Sequence, residues 1–181
     1  MLSAPIQVIT DAIDASFDEL WHTMEWERRT DAPRYECWMN DFERSYTYGR
    51  GNGVRTYHSR PWHPKVREIR DTLNDKIGVY FEACFVNGYK DHRDHLGWHS
   101  DDSDNIDHTK PIAIISFGAV REIWFRPVGH KGGYTDKVVM TPGSVVLMGP
   151  MMQMSWEHRI PKHSAETGGR ISLTFRSLLP E

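Results

Sequence analysis

The amino-acid sequence predicts a mainly β domain, built as an antiparallel sandwich or barrel with flanking α-helices. Three observations support this fold class. Short runs rich in β-branched and aromatic residues fill the second half of the 181-residue chain, and turn-forming residues separate them. Apolar residues recur at helical spacing in two stretches, both in the first half. A β-α-β fold would instead place a helix between successive strands.

The first helix is predicted to follow Ser16, because Ser16 and Glu19 have the spacing of a capping box. The second is predicted to begin at Pro64, whose fixed φ suits a first turn, and to end at Gly78. Each helix has one apolar face, which we expect to be used for packing. These faces comprise Phe17, Leu20, Trp21 and Met24 in the first helix and Val66, Ile69, Leu73 and Ile77 in the second.

Residues 28–63, between the two helices, are rich in Arg, Tyr, Trp and Gly and show little periodicity, so they predict a loop and hairpin region. After residue 79 the pattern changes to short β-type runs separated by turns. The predicted strands are 80–86, 112–117, 122–126, 138–140, 144–148 and 170–178. We expect a single domain that spans residues 1–181.

Composition narrows the class of protein further. No apolar run is long enough for a membrane-spanning helix, and the first residues lack the pattern of a signal peptide. These features predict a soluble intracellular protein, cytoplasmic or nuclear, that does not associate with membranes and has no obligate protein partner. Cys37 and Cys84 match neither a zinc site nor a disulfide framework.

Charge is distributed unevenly along the chain, whose formal net charge is −3. Residues 1–27 contain six acidic residues and no Lys or Arg, whereas residues 28–70 contain ten Lys and Arg against five acidic residues. The basic segment could face an anionic partner. A solvated surface with incidental charge accounts for it equally well.

The segment 98–102, Trp-His-Ser-Asp-Asp, carries the sharpest chemical pattern. In an extended segment, residues two apart point to the same side, so His99 and Asp101 converge. Two imidazoles and one carboxylate form the facial triad of non-haem Fe(II) oxygenases, and His158 is the candidate for the third ligand. The pair alone is a weak signal because the chain has ten histidines, and a structural or surface role is the alternative.

The predicted last strand has one apolar face and one polar face with a cation at each end. The residues of the two faces alternate: Ile171, Leu173 and Phe175 on one, and Arg170, Ser172, Thr174 and Arg176 on the other. If the apolar face packs outward against helices, both guanidiniums point into the barrel, where an unpaired cation is costly. A dicarboxylate such as 2-oxoglutarate would then be a suitable partner. An exposed strand with both arginines in water is the alternative.

Several motifs together resemble the AlkB family of oxidative nucleic-acid dealkylases, over the chain from about Pro33 to the C-terminus. They occur in family order and spacing, at 87–89 (Asn-Gly-Tyr), 98–102, 116–119 (Ser-Phe-Gly-Ala), 158–162 (His-Arg-Ile-Pro-Lys) and 170–176 (Arg-Ile-Ser-Leu-Thr-Phe-Arg). The resemblance implies a double-stranded β-helix, or jelly roll, with its core in residues 79–181 and a nucleotide-recognition lid in about 28–63. It also implies Fe(II), with 2-oxoglutarate and O2 as co-substrates.

The resemblance assigns a role to individual residues at the site. The iron ligands are His99, Asp101 and His158. The residues that bind 2-oxoglutarate share one pocket and are Asn87, Tyr89, Arg170, Ser172 and Arg176. Of these, Tyr89 and Arg170 align with contacts to the distal carboxylate, and Asn87 and Arg176 with contacts near the metal-chelating end. Ser172 departs from the usual Asn, which removes one amide from the pocket.

The lid contains an aromatic stretch similar to the one that contacts the target nucleotide in the family, formed by Trp38, Tyr46 and Tyr48. Aromatic faces stack on bases and arginines neutralise phosphates, which suits a single-stranded or flipped-out nucleic acid. The arginines beside these rings are Arg34, Arg44, Arg50 and Arg55. Asp102 is expected to contact the base, and Ser103 stands where many repair members have an acidic residue.

The resulting hypothesis is an Fe(II)- and 2-oxoglutarate-dependent dioxygenase that oxidatively demethylates N-alkylated bases in DNA or RNA. Two alternatives remain open from the sequence. The first is an oxygenase of the same type that hydroxylates a 5-methylated or unmodified base, or a protein side chain, which the serine at position 103 makes credible. The second is a non-catalytic jelly-roll binding module.

Overall fold

A computed structural model describes residues 3–49 and 53–180 of the chain. Arg50, one of the predicted lid arginines, lies outside the described residues. The chain forms two α-helices, α1 (Phe17–Thr23) and α2 (Pro64–Ile77). The strands are β1 (Ile6–Ile9), β2 (Tyr35–Asn40), β3 (Tyr46–Tyr48), β4 (Arg55–Tyr57), β5 (Ala83–Tyr89), β6 (Leu96–His99), β7 (Ile112–Gly118), β8 (Arg121–Pro127), β9 (Asp136–Met140), β10 (Val145–Met148), β11 (Trp156–Ile160) and β12 (Arg170–Arg176).

The strands form two main antiparallel sheets and one small hairpin. The larger sheet has six strands in the order β1-β10-β7-β12-β5-β2, and the smaller has four in the order β6-β11-β8-β9. Strands β3 and β4 pair with each other. One core cluster contains buried side chains from both main sheets, including Phe85 and Ile114 from the larger and Ile123, Phe125 and Ile160 from the smaller. The two sheets therefore enclose a common interior, as in the predicted jelly roll.

The helices cover the outer face of the six-stranded sheet, as the alternation of apolar and polar residues in 170–176 predicts. The buried apolar residues of β12, namely Ile171, Leu173 and Phe175, belong to a second cluster with Leu20 of α1 and with Val66, Ile69 and Leu73 of α2. Full burial of each such side chain contributes roughly 1.5–3 kcal/mol to folding. The polar face of β12 consequently points into the interior between the sheets.

Both helix starts and the stop of α2 agree with the sequence analysis. Ser16 Oγ accepts a hydrogen bond from the backbone N–H of Glu19 over 3.2 Å, as expected for an N-cap. Helix α2 begins at Pro64 and ends before Gly78, whose left-handed conformation with φ 73° suits glycine. His63 was not anticipated as a cap, and its Nδ1 accepts from the N–H of Lys65. Among the described residues, no helix is long and apolar enough to span a membrane.

The prediction of a loop and hairpin for residues 28–63 was wrong in one respect. The hairpin is present as β3 and β4, but Tyr35–Asn40 forms strand β2, which pairs with β5 at the edge of the six-stranded sheet. Strand β2 is not evident from the sequence because five of its six residues are buried, including the polar Glu36 and Asn40, so apolar and polar residues do not alternate. Strands β1, β6 and β11 were also missed, and β5 is displaced from the predicted 80–86 to Ala83–Tyr89.

Candidate metal and co-substrate site

Three side chains converge at the open edge of the interior, where β6 and β11 pair. His99 ends β6, and His158 of β11 is its cross-strand partner. Asp101 follows two residues after His99. The ligand atoms of these three residues all lie within 4.8 Å of one another. The predicted convergence of His99, Asp101 and His158 is therefore confirmed, and the donor set is the one that suits Fe(II).

Backbone and amide contacts orient two of these ligands. His99 Nδ1 lies 2.9 Å from the carbonyl oxygen of Gly97, so that nitrogen donates and Nε2 is left as the acceptor. The same Nε2 lies 3.5 Å from Asp101 Oδ1. The Asp101 N–H donates to Gln153 Oε1 over 2.9 Å. Sequence reasoning missed Gln153, because it lies in a methionine-rich turn that matches no motif and its role depends on the packing of that turn.

The electrostatics of the site favour the protonation states that a metal requires. Burial, with a further contribution from His99, lowers the pKa of His158 to about 3, so the imidazole is neutral at physiological pH. Burial alone would raise the pKa of Asp101, but Arg176 and the two histidines outweigh it and hold that pKa well below its usual value. Arg176 Nη2 lies 2.9 Å from Asp101 Oδ2. Neither ligand must lose a proton to bind a divalent cation.

The cationic face of β12 points inward, as predicted. Arg170 is fully buried, and its three guanidinium nitrogens make no hydrogen bond to any residue within 3–49 or 53–180. The same holds for the hydroxyl of Tyr89, whose ring lies 5.2 Å from Arg170 Cζ. Burial lowers the pKa of Arg170 to about 10, which still leaves it protonated. A buried cation that has no acidic partner among the described residues fits an anionic ligand, so these residues suit one carboxylate of 2-oxoglutarate.

The remaining predicted co-substrate residues lie between this cation and the metal ligands. Asn87 and Tyr89 of β5 face Ser172 and Arg170 of β12 in the strand register. A narrow inner pocket is lined by all three metal ligands together with Asn87, Tyr89, Ser172, Thr174 and Arg176. A path of polar groups thus leads from the metal ligands to Arg170. This arrangement can hold a diacid that chelates a metal at one end.

Four of the five predicted substrate residues fall into two groups. Tyr48 and Asp102 line an open cleft of about 960 Å³ that also reaches His99. The ring of Tyr48 lies edge-on to His99, with centroids 5.9 Å apart. Trp38 and Tyr46 are buried and stack on each other with centroids 4.7 Å apart, so they support the cleft from beneath.

Arg34 is placed differently from its predicted role as a nucleic-acid contact. It is only 4% exposed, and it contacts Glu36 and Asn87 behind the inner pocket. Its guanidinium is therefore not on the surface of the cleft. The prediction could not foresee this, because it depends on the unrecognised strand β2.

Ser103, at the position that many repair members of the family are expected to fill with an acidic residue, links the cleft wall to the β3-β4 hairpin. Its hydroxyl lies 3.1 Å from the Tyr46 hydroxyl and 3.3 Å from the carbonyl oxygen of Thr47, to which it can donate. Asp102 and Asp104 on either side both line the cleft. The cleft thus retains carboxylates even though Ser103 replaces one.

Comparison with known proteins defines the class to which this fold and site belong. The profile of the 2OG-Fe(II) oxygenase superfamily matches residues 13–176, so the chain belongs to that family. The description of the family names both Fe(II) and 2-oxoglutarate, in agreement with the cofactors expected from the sequence.

The similar proteins include several AlkB homologues. The chain is 31% identical to bovine (Bos taurus) alpha-ketoglutarate-dependent dioxygenase alkB homolog 3 over 93% of its length, and 32% identical to the mouse (Mus musculus) DNA oxidative demethylase ALKBH2 over 88%. It spans 62% and 64% of those two proteins, respectively. The structure of OsALKBH1 superimposes with a TM-score of 0.70 at 15% identity, covering 98% of both chains, which supports the fold.

Proposed function

We propose that this protein is an Fe(II)- and 2-oxoglutarate-dependent dioxygenase that oxidatively removes alkyl groups from nitrogen atoms of nucleic-acid bases. The observation that carries the proposal is that a His-Asp-His cluster and a buried Arg170, which makes no hydrogen bond to an acidic side chain among the described residues, share the same interior. The AlkB relatives, one of which is a DNA oxidative demethylase, support the substrate class.

Each residue has a defined task in this proposal. His99, Asp101 and His158 would hold the iron, and Arg170 with Tyr89 would bind the distal carboxylate of 2-oxoglutarate. Arg176 would contact the chelating end while keeping Asp101 ionised.

The bound metal and co-substrate would supply the oxidation, in which O2 and 2-oxoglutarate give succinate and carbon dioxide and one oxygen atom enters a C–H bond of the substrate. Hydroxylation of an N-methyl group yields an N-hydroxymethyl product, which loses formaldehyde and leaves the unmodified base. The contribution of the protein is to place the methyl group beside the metal.

The cleft suits a base that carries positive charge. Its described lining includes Asp102 and Asp104 and contains no Lys or Arg, and its third carboxylate, Glu157, is paired with Arg126. Methylation at certain ring nitrogens, such as N1 of adenine or N3 of cytosine, makes the base cationic and blocks its pairing, so the base leaves a duplex readily. We therefore propose a single-stranded or flipped-out substrate, with Tyr48 as the aromatic contact beside His99. Such a substrate implies a protein that acts inside the cell.

The direct test is release of formaldehyde. The protein is incubated with Fe(II), 2-oxoglutarate, O2 and single-stranded DNA or RNA methylated at a pairing nitrogen, and formaldehyde and the repaired base are measured. The His99→Ala variant is the negative control, and it must be shown to remain folded. Formation of succinate, with no formaldehyde from any methylated oligonucleotide, would indicate an oxygenase that acts on a different substrate. Absence of both products would contradict the proposal.

A further inference from the structure

A buried polar network lies behind the inner pocket, on the side of the lid. The side chains of Arg34 and Glu36 are 4% and 0% exposed, and Arg34 Nη2 lies 3.2 Å from Glu36 Oε2. The hydroxyl of Tyr57 donates to the same carboxylate oxygen over 2.6 Å. Because Tyr57 belongs to β4 and Glu36 to β2, the network joins the lid hairpin to the six-stranded sheet.

The network ends at Asn87 in the inner pocket. Arg34 Nε donates to Asn87 Oδ1 over 2.8 Å. A guanidinium has donors and no acceptor, so the group it contacts must be the amide oxygen, and the orientation of the amide is fixed by chemistry. The NH2 group of Asn87 is then left for the pocket that Asn87 lines.

The orientation of this amide matters more in this chain because of Ser172. Ser172 is the strand partner of Asn87 on β12. Among the described residues that line the inner pocket, Asn87 is the only one with a side-chain amide. A flipped Asn87 would present its carbonyl oxygen to a bound carboxylate, which is repulsive, and Ser172 has no NH2 group to compensate.

We propose that Arg34 is a positioning residue, which holds the Asn87 amide as a hydrogen-bond donor toward the metal-chelating end of 2-oxoglutarate. Glu36 and Tyr57 in turn hold Arg34, so that the lid hairpin contributes to co-substrate affinity. This inference rests on the proposed function and deepens it. It replaces the predicted role of Arg34 as a nucleic-acid contact.

The variants must avoid leaving one buried charge without its partner, because that alone destabilises a protein by several kcal/mol. The main variant is therefore the double substitution Arg34→Met with Glu36→Gln, which removes both charges and keeps an acceptor for Tyr57. Arg34→Lys is the conservative variant, since it retains a donor but not the planar fork. Arg67→Met, at an exposed position on α2, is the matched control.

The measurement is the dissociation constant of 2-oxoglutarate from the Mn(II)-loaded full chain, determined by calorimetry. We expect about tenfold weaker binding in the double variant, as for the loss of one well-oriented hydrogen bond to a charged group, and a smaller loss in Arg34→Lys. Arg67→Met should bind as the wild type does. Affinity for Mn(II) should be unchanged in every variant, which separates this effect from damage to the metal ligands.

A double-mutant cycle with Asn87→Ala distinguishes positioning from general loosening of the pocket. In the Asn87→Ala background, changing Arg34 should cause no further loss of affinity for 2-oxoglutarate. The inference would be overturned by an equal loss in both backgrounds, or by unaltered affinity in the folded Arg34 variants. If the wild type itself fails to bind 2-oxoglutarate with Mn(II), the proposed function is the claim that fails.

Discussion

Arg170 keeps its charge in the protein interior without a hydrogen-bond partner among the residues that the structure describes. Burying the Arg170 guanidinium without an anionic partner costs free energy in the unliganded protein. Arg170 is therefore expected to oppose folding and to favour binding of an anionic ligand. The Arg170→Met variant should stabilise the apo protein by about 1–3 kcal/mol and abolish detectable binding of 2-oxoglutarate. Denaturant unfolding and calorimetry measure the two effects. A variant that is less stable than the wild type would show that Arg170 has a structural partner instead.

His158 makes the stability of the metal-free protein depend on pH. Its pKa falls from 6.5 to about 3 on folding, because burial disfavours the charged form. At pH values above 6.5 the ring is neutral in both states, whereas between 6.5 and 3 only the unfolded chain takes up the proton. Stability should therefore decline as the pH falls, by about 1.4 kcal/mol per pH unit from this residue.

The His158→Gln variant isolates that contribution. Without metal, the unfolding free energy of this variant should fall less steeply between pH 6 and 4 than that of the wild type. The difference in slope should correspond to roughly one proton taken up on unfolding. Urea unfolding at several pH values provides the measurement. Equal slopes in the two proteins would mean that His158 titrates normally in the fold.

The orientation of individual side chains could be predicted from the sequence where a short local pattern determines the side to which they point. The His-x-Asp spacing predicts that His99 and Asp101 point to the same side of an extended segment. The alternation in β12 predicts the same for Arg170 and Arg176. Arg34 could not be placed in this way, since its burial depends on the pairing of β2 with β5. Gln153 likewise reaches Asp101 only through the packing of the 3-10 turn Met152–Met154.

At the level of elements, the candidate metal site connects two paired strands. His99 and His158 are cross-strand partners on β6 and β11, and the pairing is irregular beyond them. An ion held by both strands would bind only the folded state and so stabilise it by mass action. Mn(II) at 100 times its dissociation constant should add about 2.7 kcal/mol to the free energy of unfolding.

Thermal unfolding with and without Mn(II) tests this link between the strands. The melting temperature of the wild type should rise with Mn(II) and return on addition of a chelator. The His158→Gln variant should show little response. A similar rise in both proteins would place the stabilising ion elsewhere.

Sequence patterns predicted the elements whose residues alternate or repeat regularly. Strands β8 and β12 and both helices were found because one face of each is apolar, and β7 and β10 because each is a short and almost continuous apolar run. Strands β6 and β11 were missed because each is short and has a candidate ligand histidine where an apolar residue would mark the buried face. The elements that carry the site were thus the hardest to predict, as expected where chemistry rather than packing selects the residues.

At the scale of the whole molecule, most of the described Lys and Arg residues of 28–70 lie beside acidic side chains, although several of those acids belong to the same segment. Four arginines of this segment form salt bridges with acidic residues. The pairs are Arg28 with Asp94, Arg29 with Glu27, Arg55 with Asp31 and Arg70 with Asp41. Arg34 is also paired, with the buried Glu36. Among the described residues, these ion pairs compete with phosphates for the arginines, so we expect a smaller electrostatic contribution to nucleic-acid binding than the charge pattern alone indicates.

Binding of an oligonucleotide should accordingly depend weakly on salt. We expect the logarithm of the affinity for single-stranded DNA to change with the logarithm of salt concentration with a slope below about 2 in magnitude, equivalent to about three phosphate contacts. Fluorescence anisotropy across a salt series measures this slope. A slope several times steeper would reveal a basic surface that the described residues do not show.

The central claim is that one ion joins His99, Asp101 and His158 while Arg170 binds the far end of a diacid. Anaerobic crystals grown with Mn(II) and 2-oxoglutarate test it most directly, with anomalous scattering locating the metal. The account predicts a single strong anomalous peak among the three ligands and a carboxylate paired with the Arg170 guanidinium. A metal bound elsewhere, or a diacid that leaves Arg170 unpaired, would contradict it.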